Sequence, residues 1–203
     1  MVNYGFNIKE TKFYKLVYTE QFINKAKQQE TKIKVSFRLC LEQYLAQQKV
    51  IDDPNINTDF FTNERTLPSG RITSKRQQWN RLLGGYNATL GIVKPSWANL
   101  WSKKALEGGK HTKDHTLGVT LVGKIILNEI ESRKHLGMTN DEIISDMCNN
   151  WVMENLHLWV EVKILKEQHT NDNLSRDLNQ LSDYENKLNL LHYENGNIII
   201  VKK

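Results

Sequence analysis

Lys113-Asp114-His115-Thr116-Leu117-Gly118 is the stretch around which we expect the fold to be organised, because it places an Asp-His pair beside a glycine after a strongly basic region. Such a pair on one short strand could supply a metal ligand and a general base. Adjacent strand residues point to opposite sides, so the twist at a strand end would have to bring both side chains towards one cavity. A bare Asp-His dipeptide is most often a surface ion pair. The rest of the chain therefore has to supply a further ligand and a surface for a polyanion.

Positive charge is concentrated just before and within this stretch. The segment 65–113 has a net charge of +9, against +5 for the whole chain, which leaves −4 for all other residues. Tryptophans and amides lie between the basic residues, and such side chains neutralise phosphates and read base edges. The alternative is a basic surface without a partner, with Trp97 and Trp101 in the core. We expect double-stranded DNA to contact Arg71, Lys75, Arg76, Arg81, Lys103, Lys104, Lys110 and Lys113.

Length and composition indicate one globular domain of moderate size. The chain has 203 residues, of which 39% are apolar, which is enough for a core without disulfides or metals. Cys40 and Cys148 lie far apart and match no zinc or disulfide spacing, which suits a reducing compartment. The sequence has no signal-peptide pattern and no apolar run of about 20 residues. We therefore expect a soluble cytoplasmic protein.

Capping residues and apolar spacing predict most of the secondary structure. Thr19 with Glu20 predicts a helix start, and a second helical stripe runs from Ile33 to Leu45. Thr139 with Glu142 is a capping-box pattern that predicts a helix through Trp151. Further helices are predicted from Ser74 to Leu83, from Ser96 through Trp97, Leu100, Trp101 and Leu106, over 119–134 and over 166–181.

Extended structure is predicted in three places. Residues 13–18 read as a strand or an extended entry, and residues 156–164 alternate apolar and polar like a strand. Asn195-Gly196 is a favoured turn dipeptide, so residues 188–201 predict a β-hairpin.

The order Asp114-His115, then Glu154-Asn155-Leu156, a strand, and a polar helix bearing His169 resembles the HNH branch of the His-Me finger (ββα-metal) nucleases, including homing and phage-type enzymes. The resemblance implies a metal-dependent DNA endonuclease in which His115 is the general base. It also implies Asp114 and His169 as ligands of Mg²⁺ or Mn²⁺, with Asn171 or Asn173 as substitutes for His169. Asn155 would tie the intervening loop and orient the base.

The resemblance also implies an architecture. We expect a mostly helical α+β protein with an elaborated ββα-metal core and a C-terminal β-hairpin. The 40-residue gap from His115 to Asn155 requires a helical insertion in that core. The expected parts are an N-terminal helical part (1–70), a basic helical DNA-binding region (71–110), the nuclease core (110–175) and a helix end with the hairpin (176–203).

Two alternative functions remain open. Glu161-Val162-Lys163 has the Glu-x-Lys form found in the PD-(D/E)xK nucleases, where an upstream acid joins the glutamate on Mg²⁺. Asp146 and Glu154 are candidates for that acid, although neither is well placed. The other alternative is a nucleic-acid-binding protein without catalysis.

Overall fold

The computed structural model describes residues 8–10, 12–57, 59, 63–66, 68, 72–73, 95–115, 119–167 and 200–203. Over these residues the fold belongs to the α+β class, with a four-stranded mixed sheet and helices that pack into the same core. This confirms the expected class.

In the described N-terminal residues, a 3₁₀ turn (Ile8–Glu10) is followed by three helices: α1 (Lys12–Val17), α2 (Glu20–Gln28) and α3 (Glu30–Ile51). The Thr19 side chain caps α2 by accepting a hydrogen bond from the Phe22 amide, which confirms the predicted helix start. The predicted strand at 13–18 is wrong, since these residues form most of α1. Burial of one face of α3 confirms the predicted apolar stripe: Ile33, Phe37, Leu41 and Leu45.

Two sheets are described. The short strands β1 (Arg65–Thr66) and β2 (Ile72–Thr73) form an antiparallel pair. The main sheet contains β3 (Leu100–Ser102), β4 (His111–His115), β5 (Glu161–Leu165) and β6 (Ile200–Lys202) in the order β4-β5-β3-β6. The β4–β5 and β3–β6 pairs are antiparallel, whereas β3 and β5 are parallel.

Helices connect the strands of the main sheet. The short α4 (Lys103–Glu107) lies between β3 and β4. Between β4 and β5 come α5 (Val119–His135), α6 (Asn140–Asp146), a π-helix (Met147–Trp151), α7 (Val152–Glu154) and a 3₁₀ turn (Leu156–Trp159). The capping box between Thr139 and Glu142 is formed as predicted.

The helix predicted from Ser96 through Leu106 is wrong. A 3₁₀ turn at Ser96–Ala98 ends at Asn99, which adopts the left-handed conformation (φ 50°) and breaks any helix. The chain then forms β3 before α4 begins at the Ser102 cap. The three- and four-residue spacing of the apolar side chains is therefore spread over a 3₁₀ turn, a strand and a short helix, and Leu106 at its end is exposed.

The strand predicted over 156–164 is wrong in its first half. Residues Leu156–Trp159 form the 3₁₀ turn with all four side chains buried, and β5 begins only at Glu161. The predicted helices from Ser74 and over 168–181, and the hairpin as far as residue 199, lie outside the described residues. The last predicted strand is described from Ile200, where β6 pairs with β3.

One apolar core joins the N-terminal helices to the sheet. Its members include Phe22 of α2, Phe37 of α3, Ile126 of α5, Trp159 and Ile164 of β5, all of them buried. Each such side chain contributes about 1.5–3 kcal/mol when fully removed from water. Among the helices within the described ranges, none combines the length and apolar character needed to cross a bilayer.

Candidate active site on the polar face of the sheet

The strand registers divide the main sheet into two faces. Side chains at directly paired positions point to the same side, and they alternate along each strand. Leu100, Val162 and Ile164 lie on the buried side, which we call the core face. The opposite side, which we call the polar face, carries His111, Lys113 and His115 of β4, Glu161 and Lys163 of β5, Trp101 of β3 and, just beyond β6, Lys203.

His115 and Glu161 face each other across the β4–β5 pair. Their Nε2 and Oε1 atoms lie 3.7 Å apart, and the second carboxylate oxygen lies 3.7 Å from Nζ of Lys113. These distances exceed a hydrogen bond but allow strong electrostatic attraction, since the Glu161 side chain is only 11% exposed. The carboxylate is therefore positioned to orient the imidazole and to stabilise positive charge on it.

Asp114 does not share a side of the sheet with His115. It pairs in register with Val162, so it points to the side of the core face, whereas His115 pairs with Glu161. Both residues lie within the regular strand β4, and its twist does not bring the two side chains together. The carboxylate beside His115 is thus Glu161, which the sequence offered only as part of the Glu-x-Lys alternative.

Asn155 lies at the end of α7, where its side-chain amide donates a hydrogen bond to the Trp151 carbonyl at 2.8 Å. This contact satisfies a carbonyl at the helix end and fixes the turn that leads towards β5. The described contact of Asn155 is thus local. His169, Asn171 and Asn173, the proposed ligands after β5, lie outside the described residues.

Trp101 is the aromatic centre of the polar face. The ammonium of Lys163 lies 4.1 Å from its ring centroid and that of Lys203 lies 4.8 Å away, which are cation–π distances. Asn99 accepts a hydrogen bond from the indole nitrogen at 3.0 Å and donates one to the Lys203 carbonyl at 3.1 Å. Sequence reasoning missed this cluster because it placed Trp101 on a helix, and no local pattern signals the pairing with β5 and β6.

Four of the eight predicted DNA-contacting residues lie in the described part of the chain. Lys103 and Lys104 are exposed on α4, Lys110 is exposed before β4, and Lys113 belongs to the polar face. The remaining predicted contacts lie outside the described residues, namely Arg71, Lys75, Arg76 and Arg81.

Of the two acids considered for the Glu-x-Lys alternative, Asp146 has another described role for its carboxylate. The Asp146 carboxylate accepts hydrogen bonds from Arg133 at 2.8 Å and from Asn150 at 2.7 Å, and these contacts hold its pKa below the ordinary value. The backbone carbonyl of Glu154 accepts a hydrogen bond from the Tyr18 hydroxyl at 2.9 Å. Glu161 and Lys163 themselves do share one side of β5, as that alternative requires.

His157 is a buried histidine of the core. It is completely buried, and desolvation lowers the pKa of its imidazole to about 3. Its Nδ1 atom lies 3.3 Å from the Tyr18 hydroxyl, and its backbone amide donates to the same oxygen. Burial also raises the pKa of Tyr18 well above its ordinary value. This pair therefore ties α1 to the segment before β5.

Metal binding has a partial basis in these residues. Within the described part of the chain, no group of three or more His, Cys, Asp or Glu side chains is arranged to hold an ion. Glu161 and His115 provide two donors on one face, and carboxylate oxygen is the donor that Mg²⁺ prefers. Further donors would have to come from the segment that follows β5.

Comparisons with protein-family models, with curated proteins and with solved structures give no match to this chain.

Proposed function

We propose that the chain is a metal-dependent DNA endonuclease that hydrolyses phosphodiester bonds with His115 as general base. The observation that carries the proposal is the pairing of His115 with the largely buried Glu161, with Lys113 beside it, on the polar face. By its resemblance to the HNH family, it would be a stand-alone enzyme of homing or phage type, acting in the cytoplasm.

Each residue of this group has a chemical role in the proposal. His115 takes the proton from the attacking water, which a neutral imidazole can do near neutral pH. Glu161 favours the ring proton on Nε2, which faces its Oε1 atom, and stabilises the imidazolium that forms. The ammonium of Lys113 stabilises the negative charge that develops on the phosphate.

Mg²⁺ or Mn²⁺ is the proposed cofactor. Bound at this site, it would stabilise negative charge on the phosphate and on the leaving oxygen. Glu161 would hold it, together with His169, Asn171 or Asn173 from beyond the described residues. Asp114 is no longer proposed as a ligand in the cavity of His115, because the two point to opposite sides of β4.

The order of elements also supports the family resemblance. The antiparallel strands β4 and β5 are followed by two residues in helical conformation, 166–167, which fits the strand–strand–helix order of a ββα-metal core. The helices between β4 and β5 would then be the insertion that the long spacing from His115 to Asn155 requires.

The proposal is tested by DNA cleavage with Mg²⁺ or Mn²⁺. We expect His115→Ala to lower kcat by about 10²–10⁴-fold, which is the usual contribution of a general base. Glu161→Gln keeps the shape of the side chain but loses its charge, so it should also lower kcat. The matched control is His135→Ala, which removes an exposed histidine at the end of α5. Cleavage that survives His115→Ala contradicts the proposal, and binding without cleavage under either metal would leave a non-catalytic DNA-binding protein.

A second candidate is a nuclease of the PD-(D/E)xK type that uses Glu161 and Lys163. The observation that favours it is their shared side of β5. The ammonium of Lys163 lies 4.1 Å from the centroid of the Trp101 ring. Under this second candidate, Lys163→Ala abolishes cleavage while His115→Ala retains it, which is the reverse of the expectation for the first.

A further inference from the structure

We infer that Trp101 holds Lys163 and Lys203 as a two-cation contact for the phosphate backbone of the nucleic acid, beyond the His115–Glu161 pair. The inference rests on the proposed action on DNA, and it assigns the path of the substrate across the sheet. In this arrangement Trp101 is a positioning residue, and the two lysines contact the substrate.

The first support is the placement of two like charges on one indole. Both ammonium groups lie within 5 Å of the Trp101 centroid, at 4.1 Å and 4.8 Å. The negative ring face attracts each cation, whereas the two cations repel each other. A polyanion that contacts both ammonium groups would offset that repulsion. The indole nitrogen donates to the Asn99 side chain, which also donates to the Lys203 carbonyl, so this amide links the ring to the end of β6.

The second support is the pairing of Lys113 with Lys163. They lie directly opposite each other on β4 and β5, and like charges in that position destabilise a sheet. Each lysine has a partner on its far side: Lys113 approaches Glu161, and Lys163 lies over Trp101. The described polar face thus presents three lysines and one glutamate. This excess of positive charge suits a polyanion.

The third support is a row of paired positions that crosses the four strands of the sheet. In the register, Lys113, Lys163, Trp101 and Val201 lie at paired positions on four successive strands. Three strand spacings of about 4.8 Å cover about 14 Å, which matches about four nucleotides of one DNA strand at 3.4 Å each. The row passes beside His115 and Glu161. A backbone that follows it would contact Lys113 near the scissile phosphate and the Trp101 lysines farther along.

The test is DNA binding measured by fluorescence anisotropy in EDTA, over a series of salt concentrations, with a short labelled duplex. We expect Lys163→Gln and Lys203→Gln each to raise Kd about tenfold at low salt, because each removes about one charge-assisted contact. Each substitution should also reduce the slope of log affinity against log salt by about 0.9. Lys27→Gln, which removes an exposed lysine of α2, is the control and should change neither quantity.

Trp101 is tested by two variants because it is largely buried. Trp101→Phe keeps a smaller aromatic ring and should weaken Kd slightly, whereas Trp101→Leu should weaken it about as much as one lysine substitution. In the Trp101→Leu background, Lys163→Gln should have a smaller effect than in the wild type, because Lys163 has then already lost its support. Urea denaturation checks that Trp101→Leu is folded, because a loss of fold would by itself reduce the effect of Lys163→Gln.

The outcomes separate this inference from the proposed activity. If DNA binding shows the expected salt slopes but no metal supports cleavage, the proposed nuclease activity is contradicted. The inference that the two lysines contact phosphate is then still supported. Unchanged Kd and salt slope in both lysine variants overturn the inference, whatever the cleavage activity. A fall in kcat at constant KM in Lys163→Gln also overturns it, because Lys163 would then act in the chemical step.

Discussion

The two faces of the main sheet use the same strands for different purposes. On the core face, Leu100, Val162 and Ile164 are almost fully buried and pack into the core that contains the helices. On the polar face, one position along the same backbone, Lys163 and Glu161 take part in charge and cation–π contacts. Stability and candidate chemistry are therefore separated by the alternation of side chains along β5. Substitutions on adjacent residues of this strand should separate the two experimentally.

The largest effect is expected from the core face. Ile164→Ala leaves a cavity where the side chain is 1% exposed, so we expect it to lower the free energy of unfolding by about 2–5 kcal/mol. Lys163→Ala, on the adjacent position, should change it by less than about 0.5 kcal/mol, because it trades a cation–π contact for relief of the Lys113–Lys163 repulsion. Urea denaturation measures both. Equal losses from the two substitutions would show that the faces are not energetically distinct.

The next effect compares a buried histidine with one on the polar face. His157 has a pKa of about 3 in the fold and about 6.5 when unfolded, so the unfolded state binds more protons between these values. Its contribution to stability is complete above pH 6.5 and is lost as the pH falls towards 3. At pH 5 the expected loss is about 2 kcal/mol.

The variant His157→Gln isolates this titration. It should lower stability at pH 7 but remove that part of the pH dependence between pH 6.5 and 4, as measured by urea denaturation at a series of pH values. His111→Gln, which changes an exposed histidine of the polar face, is the comparison variant and is measured over the same series of pH values. If the free energy of unfolding of His157→Gln depends on pH as steeply as that of the wild type, the buried imidazole is not the group that titrates.

The smallest effect concerns a lysine that lies on the side of the core face. Lys202 pairs with Leu100, its ammonium donates to the Thr19 hydroxyl, and burial lowers its pKa. Lys202→Met loses that hydrogen bond but avoids desolvating a cation, so thermal unfolding should report a change within about 1 kcal/mol. Lys203→Met, one position on, serves as the comparison and should change stability by less than about 0.5 kcal/mol. A loss above 2 kcal/mol in Lys202→Met would show that the core face needs this charge.

Sequence patterns predicted the helices better than the sheet. The starts of α2 and α6 follow from Thr19 and Thr139, because capping acts over three residues. The strand β3 was missed because Leu100 and Trp101 owe their extended conformation to partners about 60 and 100 positions later. At 156–159, alternation suggested a strand, but all four side chains are buried, so the pattern did not mark one exposed face.

The candidate site shows the same limit. Local sequence identified His115 as a possible base and Glu161 with Lys163 as a separate alternative. Only the register of β4 on β5 puts His115 opposite Glu161 and turns Asp114 to the other side. A shift of one residue in that register would reverse both results, and no pattern within either strand fixes it.

The position of β3 in the sheet has a consequence for synthesis of the chain. Trp101 pairs with Lys163 and Val201, which follow it by 62 and 100 positions. At about 5–20 residues per second, a ribosome adds these partners about 3–12 s and about 5–20 s after Trp101. During that time the backbone groups on both edges of β3 lack these strand partners, and an open edge can pair with another chain. The segment around Leu100–Ser102 would therefore benefit from a chaperone while the chain is being made, and the polar face forms only after β5 and β6 have been added.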